Sequence, residues 1–353
     1  MKGPVLICGG AGFIGTNLAA RHLSMGQRVL VLDNMSRAGV ERNMESLRRE
    51  YGSLVEFDAG DVRDQRTVRR CIREATSVYH FAAQTAVTTS LVSPRDDFEI
   101  NALGTLTLLE ELRLSGKQVP LVFTSTNKVY GNLDKLAVRR NGSRYEPQHP
   151  GVLANGIGED WPLDFHSPYG CSKGSADQYV LDYARTFGLP NVVFRMSCIY
   201  GPHQCGTEDQ GWVAHFLIQS LIEKPVTIYG DGCQVRDALY AEDLVNAMLC
   251  ASRNAPSLAG QAFNIGGGIR NTVSLLELLD LIAEVEGARP DVRFEDWRIG
   301  DQRYYVSDTR EFERATGWQP RISVREGVRR LHSWLTTTYR APAAQEALRQ
   351  GVA

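Results

Sequence analysis

Four apolar residues, Val5-Leu6-Ile7-Cys8, run directly into Gly9-Gly10-Ala11-Gly12-Phe13-Ile14-Gly15. An unbroken apolar run of this kind is the pattern of a strand buried on both faces of a parallel sheet. The glycines fit both Gly10-x-Gly12-x-x-Gly15 and Gly9-x-x-Gly12-x-x-Gly15. Thr16 to Met25 then reads as a helix with Leu18, Ala19 and Leu23 on one side. In this order the backbone can approach a diphosphate closely, with the helix N-terminus facing its negative charge. Glycine turns alone are common; the strand before and the helix after give this one its weight.

The next segments extend the pattern. Gly26 stops the helix, Arg28 to Leu32 is a second strand, and Asp33 ends it. An acid about 20 residues past the glycines holds the adenosine ribose in dinucleotide folds and repels a 2′-phosphate, which favours NAD over NADP. Arg37 is the nearby residue that complicates this choice. Val55-Glu56-Phe57 is a third strand leading to Asp61 and Val62, placed to touch adenine. Ser77 to His80 is a fourth, running into Phe81-Ala82-Ala83-Gln84, whose small residues let the backbone pass the phosphates. His80 reads as a satisfied histidine near a strand end. Asp97 to Leu114 carries a helical pattern around Asn101, with Leu103, Leu106, Leu109 and Leu112 recurring, to be packed on the core or on a partner subunit. Pro120 to Phe123 is a fifth strand, followed by Thr124-Ser125-Thr126-Asn127-Lys128. The expected fold is α/β, a Rossmann doubly wound parallel sheet with a smaller C-terminal lobe.

With 353 residues and 43% hydrophobic content, the chain suits one large domain or two intimate ones. A net charge of -2 argues against a nucleic-acid or anionic-membrane surface. No apolar run reaches about 18 residues, so no membrane span is expected. The strand-like start at Val5 leaves no room for a signal peptide. The seven cysteines are widely spaced without a C-x-x-C pair. They read as reduced thiols in a cytoplasm, with no metal site.

Ser167-Pro168-Tyr169-Gly170-Cys171-Ser172-Lys173 reads as a loop entering a helix. Tyr169 and Lys173 then project from one face, one turn apart. A lysine charge favours phenolate, lowering a tyrosine pKa that starts at about 10. Such a tyrosine can take a proton from a sugar hydroxyl while the carbon beneath gives hydride to a nicotinamide. The pair alone could be a surface pair; its weight comes from the cofactor site and a third polar group. Thr126 is that candidate, with helix capping as its alternative reading. Cys171 is expected to face away from the pair. Cys198 and Cys205 lack a placed general base and are read as inert.

Taken together, Gly9-x-x-Gly12-x-x-Gly15, Asp33, Asp61, Thr126, Tyr169 and Lys173 resemble the extended short-chain dehydrogenases/reductases, the nucleotide-sugar epimerase and dehydratase family. The similarity spans about residues 3 to 335. It implies Thr126, Tyr169 and Lys173 as the catalytic set. It implies cofactor contacts from Gly9, Gly12, Phe13, Ile14, Gly15, Asp33, Asn34, Ser36, Arg37, Asp61, Val62, Phe81, Ala82, Ala83, Gln84, Asn101, Thr124, Tyr169, Lys173 and Ser197. In the 4,6-dehydratases the two residues after the threonine are Asp and Glu, whereas here they are Asn127 and Lys128. An amide cannot donate and recover protons as a carboxyl does, so dehydration is not expected. Ser125 to Gly131, Leu163 to Gly174 and Asp209 to Val213 resemble the subgroup that inverts carbon 2 of a 3,6-dideoxy sugar on CDP. A 4-epimerase of a UDP- or CDP-sugar needs the same triad, and a non-catalytic dinucleotide sensor is the rival of another class.

Substrate contacts are assigned to Thr126, Asn127, Gln210, Arg236 and Arg303, with Arg236 and Arg303 as a clamp on the diphosphate or, alternatively, as surface ion-pair residues. The polar stretch from 132 to 166 is expected to cover the sugar, with a mobile surface excursion as the alternative. Residues 1–197 and 233–270 are assigned to the NAD part, 198–232 and 271–340 to the nucleotide-sugar lobe, and 341–353 to a loose tail. The helix from Tyr169 to Phe187 is a plausible subunit face, giving a homodimer or homotetramer by the same resemblance. Ser274 with Glu277 reads as a capping box opening a helix to Glu286.

Overall fold

The apolar runs become one parallel sheet. In a computed structural model describing residues 3–204, 206–298 and 300–339, its strands are β1 (Val5–Cys8), β2 (Val29–Asp33), β3 (Val55–Ala59), β4 (Ser77–His80), β5 (Leu121–Thr126), β6 (Asn191–Met196) and β7 (Gln261–Ile265). Their order is β7-β6-β5-β4-β1-β2-β3, and every neighbouring pair is parallel. The chain grows outward from β1 in one direction and then from β4 in the other. That reversal opens a crevice at the carboxyl ends of β1 and β4, where doubly wound sheets bind ligands.

Helices cover both faces. The glycine turn feeds helix Phe13–Ser24, which begins three residues earlier than the sequence pattern predicts. β5 runs three residues past Phe123, so Thr124, Ser125 and Thr126 lie in the strand, opposite Phe194, Arg195 and Met196. Threonine branches at Cβ and suits a strand as well as a turn. The pattern from Asp97 to Leu114 is helical throughout but starts at Pro94 and contains a π turn over Glu99–Leu103. Leu108, Leu109 and Leu112 are buried, whereas Leu103 is 42% exposed. A spacing of three drifts around a helix of 3.6 residues per turn, so that leucine row could not keep to one face.

A second layer surrounds the strand Val235–Tyr240. It pairs with Thr272–Ser274 antiparallel, and with Tyr304–Tyr305 and Cys198–Tyr200 parallel. Helices Trp212–Leu221, Leu275–Glu286 and Val324–Thr338 supply its core through Leu217, Leu278, Ile282 and Leu331. The capping box forms as expected, with Ser274 and Glu277 satisfying each other's backbone N–H.

The domain limits need correction at two places. Val235–Tyr240, assigned to the NAD part, belongs to this second layer; the chain rejoins the large domain with helix Ala241–Arg253, whose Leu244 and Met248 pack in the main core. Conversely, Phe312 and Trp318, assigned to the lobe, lie in that main core. The Phe312 ring packs at 5.1 Å from Phe194 and 5.2 Å from Phe263. Aromatic contacts reach far along the chain and leave no local periodicity to read.

The stretch from 132 to 166 also departs from expectation. It holds a hairpin, Val138–Asn141 with Arg144–Pro147, and a short helix, Pro150–Asn155. Tyr145 donates its N–H to Cys233 and its hydroxyl to Asp231, and Arg144 donates to Thr272. The segment is fastened to the outside of the second layer, and none of its residues lines the large cleft. Among the described residues no helix is long and apolar enough to cross a membrane. Cys205 and the tail 341–353 lie outside the described residues.

Candidate active site

Tyr169 is delivered by the start of helix Ser167–Phe187. Ser167 adopts a left-handed φ of 62° ahead of Pro168, and its Oγ accepts from the Gly170 N–H at 3.2 Å. Such a conformation costs about 1–2 kcal/mol for a residue bearing Cβ, and it turns the chain sharply into the helix. Gly174 is needed one turn on: a Cβ there would lie 2.5 Å from the Phe165 ring, which packs against the helix.

Tyr169 and Lys173 are both buried, and Thr126 at the end of β5 hydrogen-bonds the phenol. Thr126 also accepts from the Lys128 N–H at 3.2 Å, the capping contact that was its alternative reading. Lys173 Nζ donates to the Thr124 carbonyl at 2.6 Å and lies over the Phe123 ring. One expectation fails here. Burial raises the Tyr169 phenol, with the Thr126 hydrogen bond opposing it, and Lys173 is not what moves it. Burial likewise pushes Lys173 down to about 7, against the pull of Asp177 and Asp97. A lysine that sheds its proton near neutrality is not a fixed charge, and spacing alone cannot reveal that. Its nearness also helps keep buried His80 neutral, lowered to about 3, chiefly by burial. His80 Nε2 meets Thr105 Oγ1 at 3.1 Å.

The glycine turn fits a diphosphate. A Cβ at Gly9 would stand 2.6 Å from the Ala82 nitrogen, and one at Gly15 2.4 Å from the Gly9 carbonyl, so both approaches require glycine. At Gly12 the only close atom is Gly9 O at 3.3 Å, which leaves the helix N-terminus open. Asp33 accepts from the N–H groups of Ala11 and Met35, at 3.0 and 2.9 Å. Asn34 donates to Asp61, whose carboxylate is held at about 2, first by its hydrogen bonds from Arg63. Ser36 donates its N–H to Asn34. Arg37 donates to Thr85, Ala83 O and Gln210. Val62 is buried among core residues. Asn101 is buried and binds Gln84 through both N–H and C=O of that residue, and Ser172 at 3.0 Å. It shapes the loop from Phe81 to Gln84 rather than presenting its own amide.

A cleft of about 620 Å³ brings together Phe13, Ile14, Phe81, Ala83, Thr124, Thr126, Asn127, Tyr169, Lys173, Ser197, Gln210 and Arg236. The buried Ser125 hydroxyl in its wall has no partner, as a site for a polar ligand would leave it. Gly9, Gly12, Gly15, Asp33, Asn34, Ser36, Arg37, Asp61, Val62, Ala82, Gln84 and Asn101 do not line this cleft but lie at or just beyond the carboxyl ends of β1 to β4 and the helix beside them. Ser197 donates to Asp237. Arg236 donates to Asp301 at 2.6 Å.

Arg303 is corrected: it is exposed, outside the cleft, with Tyr145 and Trp297 rings each 5.6 Å from its guanidinium. Arg298 lines the cleft instead, 3.7 Å from the Tyr229 ring centroid and paired with Glu208 and Asp209. Gly300 at φ 79° follows it and turns the chain; that Arg298-x-Gly300 spacing is the signal the sequence reading passed over. Lys128 is the other residue missed. Its Nζ donates to the Gly300 carbonyl at 3.1 Å. Cys171 is exposed on the far side, and burial raises the Cys198 thiol to about 12, which makes it a poor nucleophile.

Comparison with known proteins agrees with the fold. CDP-paratose 2-epimerase of Salmonella typhi is 44% identical over 342 residues, covering 94% of this chain and 99% of that protein. The crystal structure of UDP-glucose 4-epimerase with UDP-glucose from Thermotoga maritima superposes with a TM-score of 0.80 at 30% identity, over 95% of this chain and 99% of the other. That of the Thermus thermophilus UDP-glucose 4-epimerase complexed with NAD gives 0.77 at 33% identity, over 94% and 98%. The family model described as GDP-mannose 4,6 dehydratase matches residues 6–331. The chain belongs to that family, the extended short-chain dehydrogenases/reductases that act on nucleotide sugars.

Proposed function

We propose that this enzyme inverts carbon 2 of a CDP-linked 3,6-dideoxyhexose, converting CDP-paratose to CDP-tyvelose through a transient 2-keto sugar. One observation carries the choice: Thr126, Tyr169 and Lys173 converge while the neighbours of Thr126 are Asn127 and Lys128, an amide and an amine. The 44% identity to a CDP-paratose 2-epimerase supports it. NAD, when bound, supplies reversible acceptance of hydride. Gly9, Gly12, Gly15 and Asp33 are the residues to hold it, with Phe81, Ala83 and Ser197 along its path.

Tyr169 removes and returns the proton on the carbon-2 oxygen, and the Thr126 hydrogen bond favours its anion. Lys173 fixes the wall behind it through Thr124. Asn127 and Gln210 face the sugar, and Arg236 faces the diphosphate. A dideoxy sugar leaves few hydroxyls to satisfy, so it can turn over in the cleft without stranding buried partners. Net redox change is zero, so turnover needs no added nicotinamide.

A 4-epimerase of a UDP- or CDP-sugar is the second reading, because the same triad serves carbon 4. Supplying CDP-paratose and following anomeric protons by NMR separates them: CDP-tyvelose is expected, and inversion of another sugar at carbon 4 without it overturns the assignment. A non-catalytic sensor would keep its biological effect in Tyr169→Phe; the enzyme would lose it. Exposed Tyr179 and Phe187 on the Tyr169 helix, with Phe98 and Leu103 on the neighbouring one, give an apolar face for a homodimer or homotetramer. Sedimentation of the purified protein as a monomer would refute that. A cytoplasmic location is proposed on the free state of the six described cysteines.

A further inference from the structure

Lys128 follows Thr126 by two residues, on the short 3-10 turn Asn127–Tyr130, and its side chain enters the cleft wall half-buried. An ammonium has three donors. One goes to the Gly300 carbonyl, and Lys128 forms no ion pair among the described residues. The arginines on the same wall differ: Arg236 is paired with Asp301, and Arg298 with Glu208 and Asp209. A cation held in a half-buried wall without an ion pair of its own is costly unless an anion arrives. The Gly300 loop that receives Lys128 is also the loop whose Asp301 holds Arg236. Lys128 therefore stands two residues past Thr126 and against the loop that holds the arginine expected at the diphosphate.

We infer that Lys128 binds the phosphate that bears the sugar, and acts as the pivot that keeps the nucleotide sugar in place while the oxidised sugar turns over. This rests on the nucleotide-sugar reading above and adds a binding residue to it. Burial, and then Arg236, lower Lys128 to about 8, with Asp301 opposing. Those two are the charged groups that face it; Arg298, Glu208, Asp209, Tyr169 and Lys173 line the same cleft. An arriving diphosphate restores the ammonium, so binding above neutrality must take up a proton.

The test is calorimetry of CDP binding to the NAD-saturated protein at pH 8.5 in buffers of different ionisation enthalpy. Wild type is expected to take up roughly half to one proton per CDP, and cytidine, lacking phosphate, none. Lys128→Met is expected to bind CDP about tenfold to a hundredfold more weakly and to take up no proton. Lys128→Arg keeps the charge but cannot titrate there, so it should hold affinity and lose the uptake. That second variant decides the matter if the methionine variant is poorly folded. Unchanged CDP affinity in Lys128→Met, or proton uptake that persists in either variant, overturns the assignment. UDP is titrated in parallel. If UDP binds with this uptake and CDP does not bind, the base preference fails while the role of Lys128 stands.

Discussion

The cradle expected to hold the dinucleotide, just outside the cleft, and the cleft wall expected to hold the sugar are assembled differently. Gly9, Gly12 and Gly15 come from one turn, Asp33 from the end of the next strand, and Phe81 to Gln84 from the strand after β1 in the sheet. The sugar wall gathers Asn127, Gln210, Arg236 and Arg298 from four separated segments, three of them in the second layer. A backbone cradle is coded by local residue type, because only glycine tolerates the close approaches measured at Gly9 and Gly15. A side-chain clamp depends on which distant loops meet. Tyr169 and Lys173, expected to meet both cofactor and sugar, come from a further segment, the helix Ser167–Phe187.

The largest effect should fall on that helix. Tyr169→Phe is expected to lower kcat by about 10²- to 10⁴-fold with NAD affinity unchanged, measured by turnover and by dinucleotide titration. Equal loss of NAD affinity would mean that the phenol is part of the cradle and the division is wrong. Next comes the support behind the helix. Arg195 and Asp177 form an ion pair with side chains 5% and 1% exposed. Asp177→Asn leaves a buried guanidinium uncompensated, a loss of about 3–5 kcal/mol, read by urea unfolding.

The cradle and the sugar wall also differed in legibility. The strands, the glycine turn, Asp33 and the order Thr126, Tyr169, Lys173 could be read because each has a local pattern. Arg298 and Arg303 are arginines in one short loop, and composition does not show that Arg298, before the turn at Gly300, is the one that lines the cleft. The hairpin at Val138–Pro147 looked like a lid because its length and polarity do not reveal that Tyr145 docks on Cys233 and Asp231. The Tyr169–Lys173 spacing was legible, but the burial that draws Lys173 down to about 7 was not.

The arginines sharpen the comparison further. Arg236→Leu is expected to raise KM by about tenfold to a hundredfold, the worth of a charge-assisted bond. Arg303→Leu, on the exposed side of Trp297, should change KM less than about twofold. The reverse ranking would return the clamp to Arg303. The smallest effect concerns Asp61 at the cradle's edge. Its folded pKa of about 2 lies below its unfolded value, so the stability it adds is full above about pH 4 and is lost as pH falls toward 2. At 26% exposure it is worth at most about 2 kcal/mol. Acid unfolding of Asp61→Asn should lack that part of the slope.

The central claim is oxidation and reduction at one carbon by a resident dinucleotide, with Tyr169 moving the proton. CDP-paratose deuterated at carbon 2 tests it most directly. The product CDP-tyvelose should keep its deuterium at carbon 2 in ordinary water, because the hydrogen leaves and returns without meeting solvent. Loss of that deuterium to water, with inversion still occurring, would contradict the account.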